Sequence, residues 1–331
     1  MKFKGLFLIL AVFLFSFVAC NAVSAASHIV VWQDNRDGGG MGSHIYYKNL
    51  DTGKGGRVSS TDSVQNNAII SGNTVVWSDN RDGSNYHIYF KNLDTNTGGR
   101  VSSKDSNQKY PSFSGSMVVW MDDRDGGSNY HIYYKNLASG TGGRVSGTDS
   151  DQAVPSISGS TVVWMDNRGG GSNYHIYYKN LASGIGGRVS SIGSDQEHPC
   201  ISGSTVVWED NRDGSNYHLY YMNLATNKGG RVSSYDSNQL YSSISGNIIV
   251  WQDNRDGSNN HIYYKNLATG AGGRVSGTDS DQYVPCISDN IVVWMDNRDV
   301  SDFHIYSKNL TNGTGGRVSN TNSHQWRPNI N

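Results

Sequence analysis

An aspartate, an arginine and a histidine close together are raw material for acid–base catalysis or metal binding. The segment WMDNRGGGSNYHIYYKNL (164–181) places Asp166, Arg168 and His175 around a run of three glycines. Taken alone, it reads as part of an active site with a flexible loop between a carboxylate and an imidazole. The rest of the chain argues otherwise. A Trp followed two residues later by Asp and four later by Arg stands at Trp32, Trp77, Trp120, Trp164, Trp208, Trp251 and Trp294, at spacings of 45, 43, 44, 44, 43 and 43 residues. A histidine opens the next aromatic run each time, at His44, His87, His131, His175, His218, His261 and His304. Of 15 arginines, 14 are repeat positions, two per copy, and only Arg327 is extra. A catalytic constellation is normally one asymmetric group in one pocket. Seven copies of the same residues imply a structural part used seven times.

Specific ligands fare no better at the repeated positions. The glycines vary from Gly38-Gly39-Gly40 in one copy to Val300 in another, whereas a phosphate cradle requires fixed glycine geometry. The loop DNRDGSN (79–85) resembles a calcium loop, but its third position is Arg81, a cation where an oxygen ligand is needed. Each copy supplies one histidine without a partner at metal-ligand spacing. The sequence therefore implies no cofactor and no metal. The ionisable residues unmatched by the repeat, which an enzyme would need, are Glu197, His198, Glu209 and His324.

Each copy divides into four short strands separated by turn residues. In the fourth they are SISG (156–159), TVVWMD (161–166), HIYYKNL (175–181) and RVS (188–190), rich in branched and aromatic residues and without helical apolar spacing. Four antiparallel strands in about 44 residues match one β-propeller blade. Chain phase supports a closed ring. The repeats open on a second strand, HIVVW, and stop in a first strand, RPNIN (327–331). The expected fold is an all-β, seven-bladed propeller of four-stranded antiparallel blades, closed by pairing of the C-terminal inner strand with the N-terminal blade. That closure leaves no open edge. By strand alternation Trp164 and Asp166 share one face. The Trp is expected to pack between blades, with Asp and Arg paired near the blade end and the histidine bonded to that pair.

These motifs resemble the TolB-like propeller repeats, especially those of exported archaeal and bacterial surface proteins. That group carries Trp-x-Asp-x-Arg, Asp-Ile-Tyr, Leu-x-Thr-Gly and Pro-x-Ile-Ser-Gly strands and turns. The resemblance covers 27–331 and implies the fold; it is nearly silent on activity, because one fold hosts many functions. Here His replaces the Asp that opens the third strand, so a charge contact of that Asp is not implied.

Domain boundaries follow from the N-terminus. Lys2 and Lys4, an apolar run from Gly5 to Ala19, and small residues at Ser24 to Ala26 read as a signal peptide over 1–26, with lipid attachment at Cys20 or an uncleaved anchor as alternatives. The propeller then fills 27–331, with no membrane span in the mature chain and a secreted or cell-surface location. Net charge is −1, or −3 without the two signal lysines, which disfavours nucleic acid. Cys200 and Cys286 occupy equivalent positions two repeats apart and are not expected to bond.

Function is sought where the copies differ. After the repeated Gln come Asn66-Asn67, Lys109-Tyr110, Ala153-Val154, Glu197-His198, Leu240-Tyr241, Tyr283-Val284 and Trp326-Arg327. They are expected to precede the inner strands and ring the mouth of the central channel. Tyr110, Tyr241, Tyr283 and Trp326 would stack on a ligand, while Lys109, Glu197, His198 and Arg327 set polarity. The leading expectation is a non-enzymatic exported scaffold recognising a surface protein or glycan through this face. A multivalent lectin with repeated sugar sites and a polysaccharide-degrading enzyme are the alternatives.

Overall fold

The computed structural model describes residues 27–37, 42–147, 149–169, 172–190, 193–257, 259–299 and 302–331. The expected signal peptide and Cys20 lie outside them. The described residues form 28 strands in seven four-stranded antiparallel sheets. Blade 2 is representative, running from inside outward as Gln65–Ser71, Thr74–Asp79, His87–Asn92 and Gly98–Arg100. Blade 1 takes its inner strand from the C-terminus: Gln325–Ile330 pairs with Ile29–Asp34.

The second strand of each blade is apolar without alternation because both of its faces are covered by neighbouring blades. In blade 2, Val75 and Trp77 pack backward onto Ile29, Val31 and Ile45 of blade 1. Val76 and Ile88 pack forward onto Phe113, Val118 and Trp120 of blade 3. Among the described residues seven such cores lie between blades, and none lies within a single blade. The core that closes the ring joins Val30, Trp32 and Ile330 to Val293, Ile305 and Val318.

The Trp-x-Asp-x-Arg motif sits at the upper end of each core. Asp79 is fully buried and accepts bonds from Trp77 Nε1 (2.9 Å), Ser63 Oγ (2.6 Å), Gln65 Nε2 (3.1 Å) and the Arg81 backbone amide (2.9 Å), and it pairs with the Arg81 guanidinium. That guanidinium lies 4.1 Å from the centroid of the Tyr89 ring, a cation–π contact. The expected packing of Trp and pairing of Asp with Arg are both present. The histidine is placed differently. His87 is opposite Asp79 in the register, yet its ring lies between two other carboxylates, Nδ1 3.7 Å from Asp82 and Nε2 3.3 Å from Asp105. Asp79 already has its donors, so the imidazole is left to the loop carboxylates.

Two strand boundaries also differ from the sequence reading. The outer strand is Gly-Gly-Arg rather than Arg-Val-Ser. Its first glycine is required by close approach, since a Cβ at Gly142 would stand 2.5 Å from the Tyr134 carbonyl oxygen. The inner strand begins at the repeated Gln, so the variable pairs lie inside it rather than before it. Cys200 and Cys286 are both free and half-buried.

Two outcomes follow from this architecture. Deleting Trp326 to Asn331 removes the inner strand of blade 1 and one wall of the closing core. The expected cost exceeds about 4 kcal/mol, the range reserved for loss of a core element. A truncated chain melting within a degree or two of the intact one would contradict the closure. The second outcome concerns acid. Burial raises the carboxyl pKa of Asp34, Asp79, Asp122, Asp166, Asp210, Asp253 and Asp296, but hydrogen bonds from Arg, Trp and Ser outweigh it and hold all seven below the usual value. A depressed carboxyl pKa stabilises the fold above the unfolded value of about 3.9 and loses that contribution as pH falls below it. Burial, with nearby arginine, also lowers the pKa of His44, His175 and His304, so stability falls progressively below about pH 6.5, where the unfolded imidazoles take up protons that the folded ones resist. Urea midpoints are therefore expected to decline gently below pH 6.5 and steeply below pH 4; a flat profile down to pH 3 would exclude this linkage.

Candidate binding site at the channel mouth

The inner strands of successive blades contact one another in a closed cycle. Each starts with a fully buried Gln that ties two blades together. Gln65 Oε1 accepts from the Ile45 amide of blade 1 (3.2 Å), while its Nε2 reaches Asp79 of its own blade (3.1 Å). The variable pair follows at once. Because Gln65 is opposite Asp79, where the loop to the third strand departs, all seven pairs lie at the loop end of the ring.

A β-bulge interrupts every inner strand at the second residue of the pair. The second residue of each pair is left-handed: Asn67, Tyr110, Val154, His198, Tyr241, Val284 and Arg327 have φ between 47° and 54°. This is an unusual conformation for non-glycine residues and a costly one for the β-branched Val154 and Val284. Bulges re-aim side chains, and here they do so seven times around one opening.

The residue between Trp and Asp in the preceding blade secures the left-handed amide. Gln33 Oε1 accepts from the Asn67 amide (3.1 Å), Glu209 Oε1 from Tyr241 (2.7 Å) and Gln252 Oε1 from Val284 (3.3 Å). Met121, Met165 and Met295 present sulfur to Val154, His198 and Arg327, each at 3.4 Å. Blade 2 is the exception. Its residue is Ser78, whose buried Oγ has no hydrogen-bond partner among the described residues.

That short side chain leaves room. A cavity of about 340 Å³ opens across blades 1 to 3, lined by Ser78, Gln33, Asn66, Asn67, Tyr86, Lys109, Tyr110, Trp326 and Arg327. Arg327 bonds Asn67 across the gap, and Lys109 Nζ lies 5.8 Å from the Tyr130 ring centroid. The lining combines two cations, three aromatic rings and several amides, with no carboxylate among these residues.

The eight residues singled out from sequence fall into three groups. Lys109, Tyr110, Trp326 and Arg327 share the cavity. Tyr283 joins Trp326 through a chain of rings, Tyr283–Phe303 (5.6 Å), Phe303–His324 (5.6 Å) and His324–Trp326 (5.1 Å). Glu197, His198 and Tyr241 gather across the ring with Glu209; the His198 and Tyr241 rings lie 5.6 Å apart. Gln33, Ser78 and Tyr86 were missed. The signal for the first two was available, because the middle residue of Trp-x-Asp varies inside an otherwise constant strand.

Crevices at the blade edges are the other repeated concavity. One is lined by Trp77, Arg81, Tyr89 and Lys91, and its counterparts by Trp164, Arg168, Tyr177 and Lys179 and by Trp251, Arg255, Tyr263 and Lys265. Their cations are already engaged. Arg81 bonds Asp79 and Ser59, and Lys91 Nζ donates to the Val58 carbonyl (2.8 Å).

No protein-family description matches the chain, and no curated protein matches it. Solved structures do. TolB from Acinetobacter baumannii is 15% identical, with TM-score 0.55 over 92% of this chain and 82% of that one. Oligogalacturonate lyase from Vibrio parahaemolyticus is 13% identical, with TM-score 0.63 over 84% and 85%. A puromycin hydrolase is 10% identical, with TM-score 0.70 over 90% of this chain, which spans 53% of that one. The chain is thus a seven-bladed propeller with TolB-like neighbours, as its motifs implied. The expectation of a non-enzymatic protein is corrected: the same architecture occurs in a lyase and within a hydrolase, so it does not separate binding from catalysis.

Ser78→Met is expected to extend the capping pattern of blades 3 and 4 into blade 2 and occupy part of the cavity. Because the added atoms enter an open cavity rather than a packed core, the variant should fold, while hydrogen exchange at the Tyr110 amide slows. Unchanged exchange in a folded variant would refute the role given to this position.

Proposed function

We propose that the chain is an exported interaction scaffold whose channel mouth captures an acidic glycan. The observation that carries this reading is the cavity across blades 1 to 3, where Lys109 and Arg327 stand beside Trp326, Tyr110 and Tyr86 with no carboxylate in the lining. Aromatic faces suit the apolar faces of sugar rings, and the amides of Asn66 and Asn67 suit hydroxyls. The two cations would supply pairing for carboxylate or sulfate. Export rests on the N-terminal sequence; among the described residues no helix is long and apolar enough to cross a membrane.

The multivalent lectin reading draws on the recurring edge crevices, and the engaged state of their arginines and lysines weighs against it. Calorimetric titration with acidic and neutral oligosaccharides separates the two. Mouth capture predicts one site per chain, a preference for the acidic ligand, and a loss of about 1–3 kcal/mol on Tyr110→Ala or Lys109→Ala with the fold intact, the range for anchor residues. Several equivalent sites, or binding unchanged in the folded variants, would overturn it. New reducing ends appearing during the titration would identify cleavage rather than capture.

A further inference from the structure

We propose that Glu197, His198 and Glu209 form a binding site for one divalent transition-metal ion of the zinc class on the blade 5 side of the mouth. These are the two glutamates of the chain and a histidine outside the repeated position, and their ligand atoms lie within 4.8 Å of one another. His198 Nδ1 is 3.2 Å from Glu209 Oε2 and 3.8 Å from Glu197 Oε2. Ligands bound about 2.0–2.2 Å from a zinc ion stand roughly 3–3.5 Å apart in a tetrahedral site, so only small movements would complete the set.

Two further observations point to a cation. Glu197 and Glu209 are direct partners in the register of adjacent strands. Like charges facing each other across a ladder are destabilising, and the corresponding pairs in other blades, such as Asn66 with Ser78 and Ala153 with Met165, carry no such clash. Among the described residues no lysine or arginine pairs with either glutamate, and the ion-pair partner of both is His198. Second, the Glu209 side chain is only 2% exposed. Its Oε1 is occupied by the Tyr241 amide at 2.7 Å. Among the described residues its Oε2 has no donor outside the cluster, and it faces His198 Nδ1 at 3.2 Å. Imidazole with carboxylates suits zinc and its neighbours better than calcium or magnesium, which favour all-oxygen shells. Three protein ligands leave a coordination position open to water or to a ligand in the channel.

The test uses the full mature chain stripped with chelator and titrated with Zn²⁺ by calorimetry, with metal content measured after desalting. One ion per chain is expected, together with a raised melting temperature. Glu197→Gln/His198→Asn, at half-exposed positions, should abolish both effects while circular dichroism stays unchanged. Glu209→Gln, which retains an oxygen for the Tyr241 amide, should weaken binding at least tenfold. No binding by the native chain would overturn the site. So would binding of several ions unaffected by the double variant, which would instead locate zinc at the repeated His–Asp groups such as His131 with Asp125 and Asp149. If Glu209→Gln does not fold, the double variant alone decides the outcome. Glycan capture at the opposite side of the mouth is measured separately, so either reading can fail without the other.

Discussion

The structure depends on a fully buried carboxylate repeated seven times. Each is held by an indole, a guanidinium, a serine hydroxyl or its counterpart, and a backbone amide. Removing an ionised carboxylate from water is costly unless its lone pairs are occupied and its charge is matched. The donors come from separate stretches of the chain: Trp and Arg from the aspartate's own strand and loop, Ser and Gln from the connection arriving from the preceding blade. Satisfying one charge thus fixes where a blade's outer connection returns to its inner strand, and with it the angle between neighbouring blades.

That arrangement explains why the repeated polar residues are structural. Arg81 cannot serve a ligand while it bonds Asp79 and Ser59 and covers the Tyr89 ring. The buried histidines lie against loop carboxylates in most blades. In blade 4 glycine occupies both equivalent positions, Gly169 and Gly193, yet the strand and its core are unchanged. The histidine contacts are therefore secondary to the aspartate network.

Asymmetry enters at the bulges. Every blade pays for a left-handed residue at the mouth, and each offsets it by capping the amide from the preceding blade, except where Ser78 is too short. The frame thereby offers seven aimed positions whose side chains are free to differ, and one gap. The cationic, aromatic cavity and the Glu–His–Glu cluster arise on opposite parts of one ring without disturbing the cores beneath. This is how a highly regular repeat can carry local chemistry, and why likeness of fold to TolB, to a lyase and to a hydrolase leaves activity open.

The sequence by itself determined the blade number, the strand content, the closure through Gln325–Ile330 and the burial of Trp between blades, because period, alternation and chain phase are properties of the chain order. It also marked the variable pairs. Only the tertiary structure decided what those pairs became. Their placement inside the inner strand depends on a bulge that no residue type announces, since Asn, Tyr, Val, His and Arg all occupy it. The convergence of Glu197 with Glu209, 12 residues apart across a bulged hairpin, depends on register. The cavity depends on the length of a side chain, Ser78, reaching toward a different blade. A repeat period fixes contacts that recur. Contacts made once depend on the register, angle and separation that the assembled ring imposes.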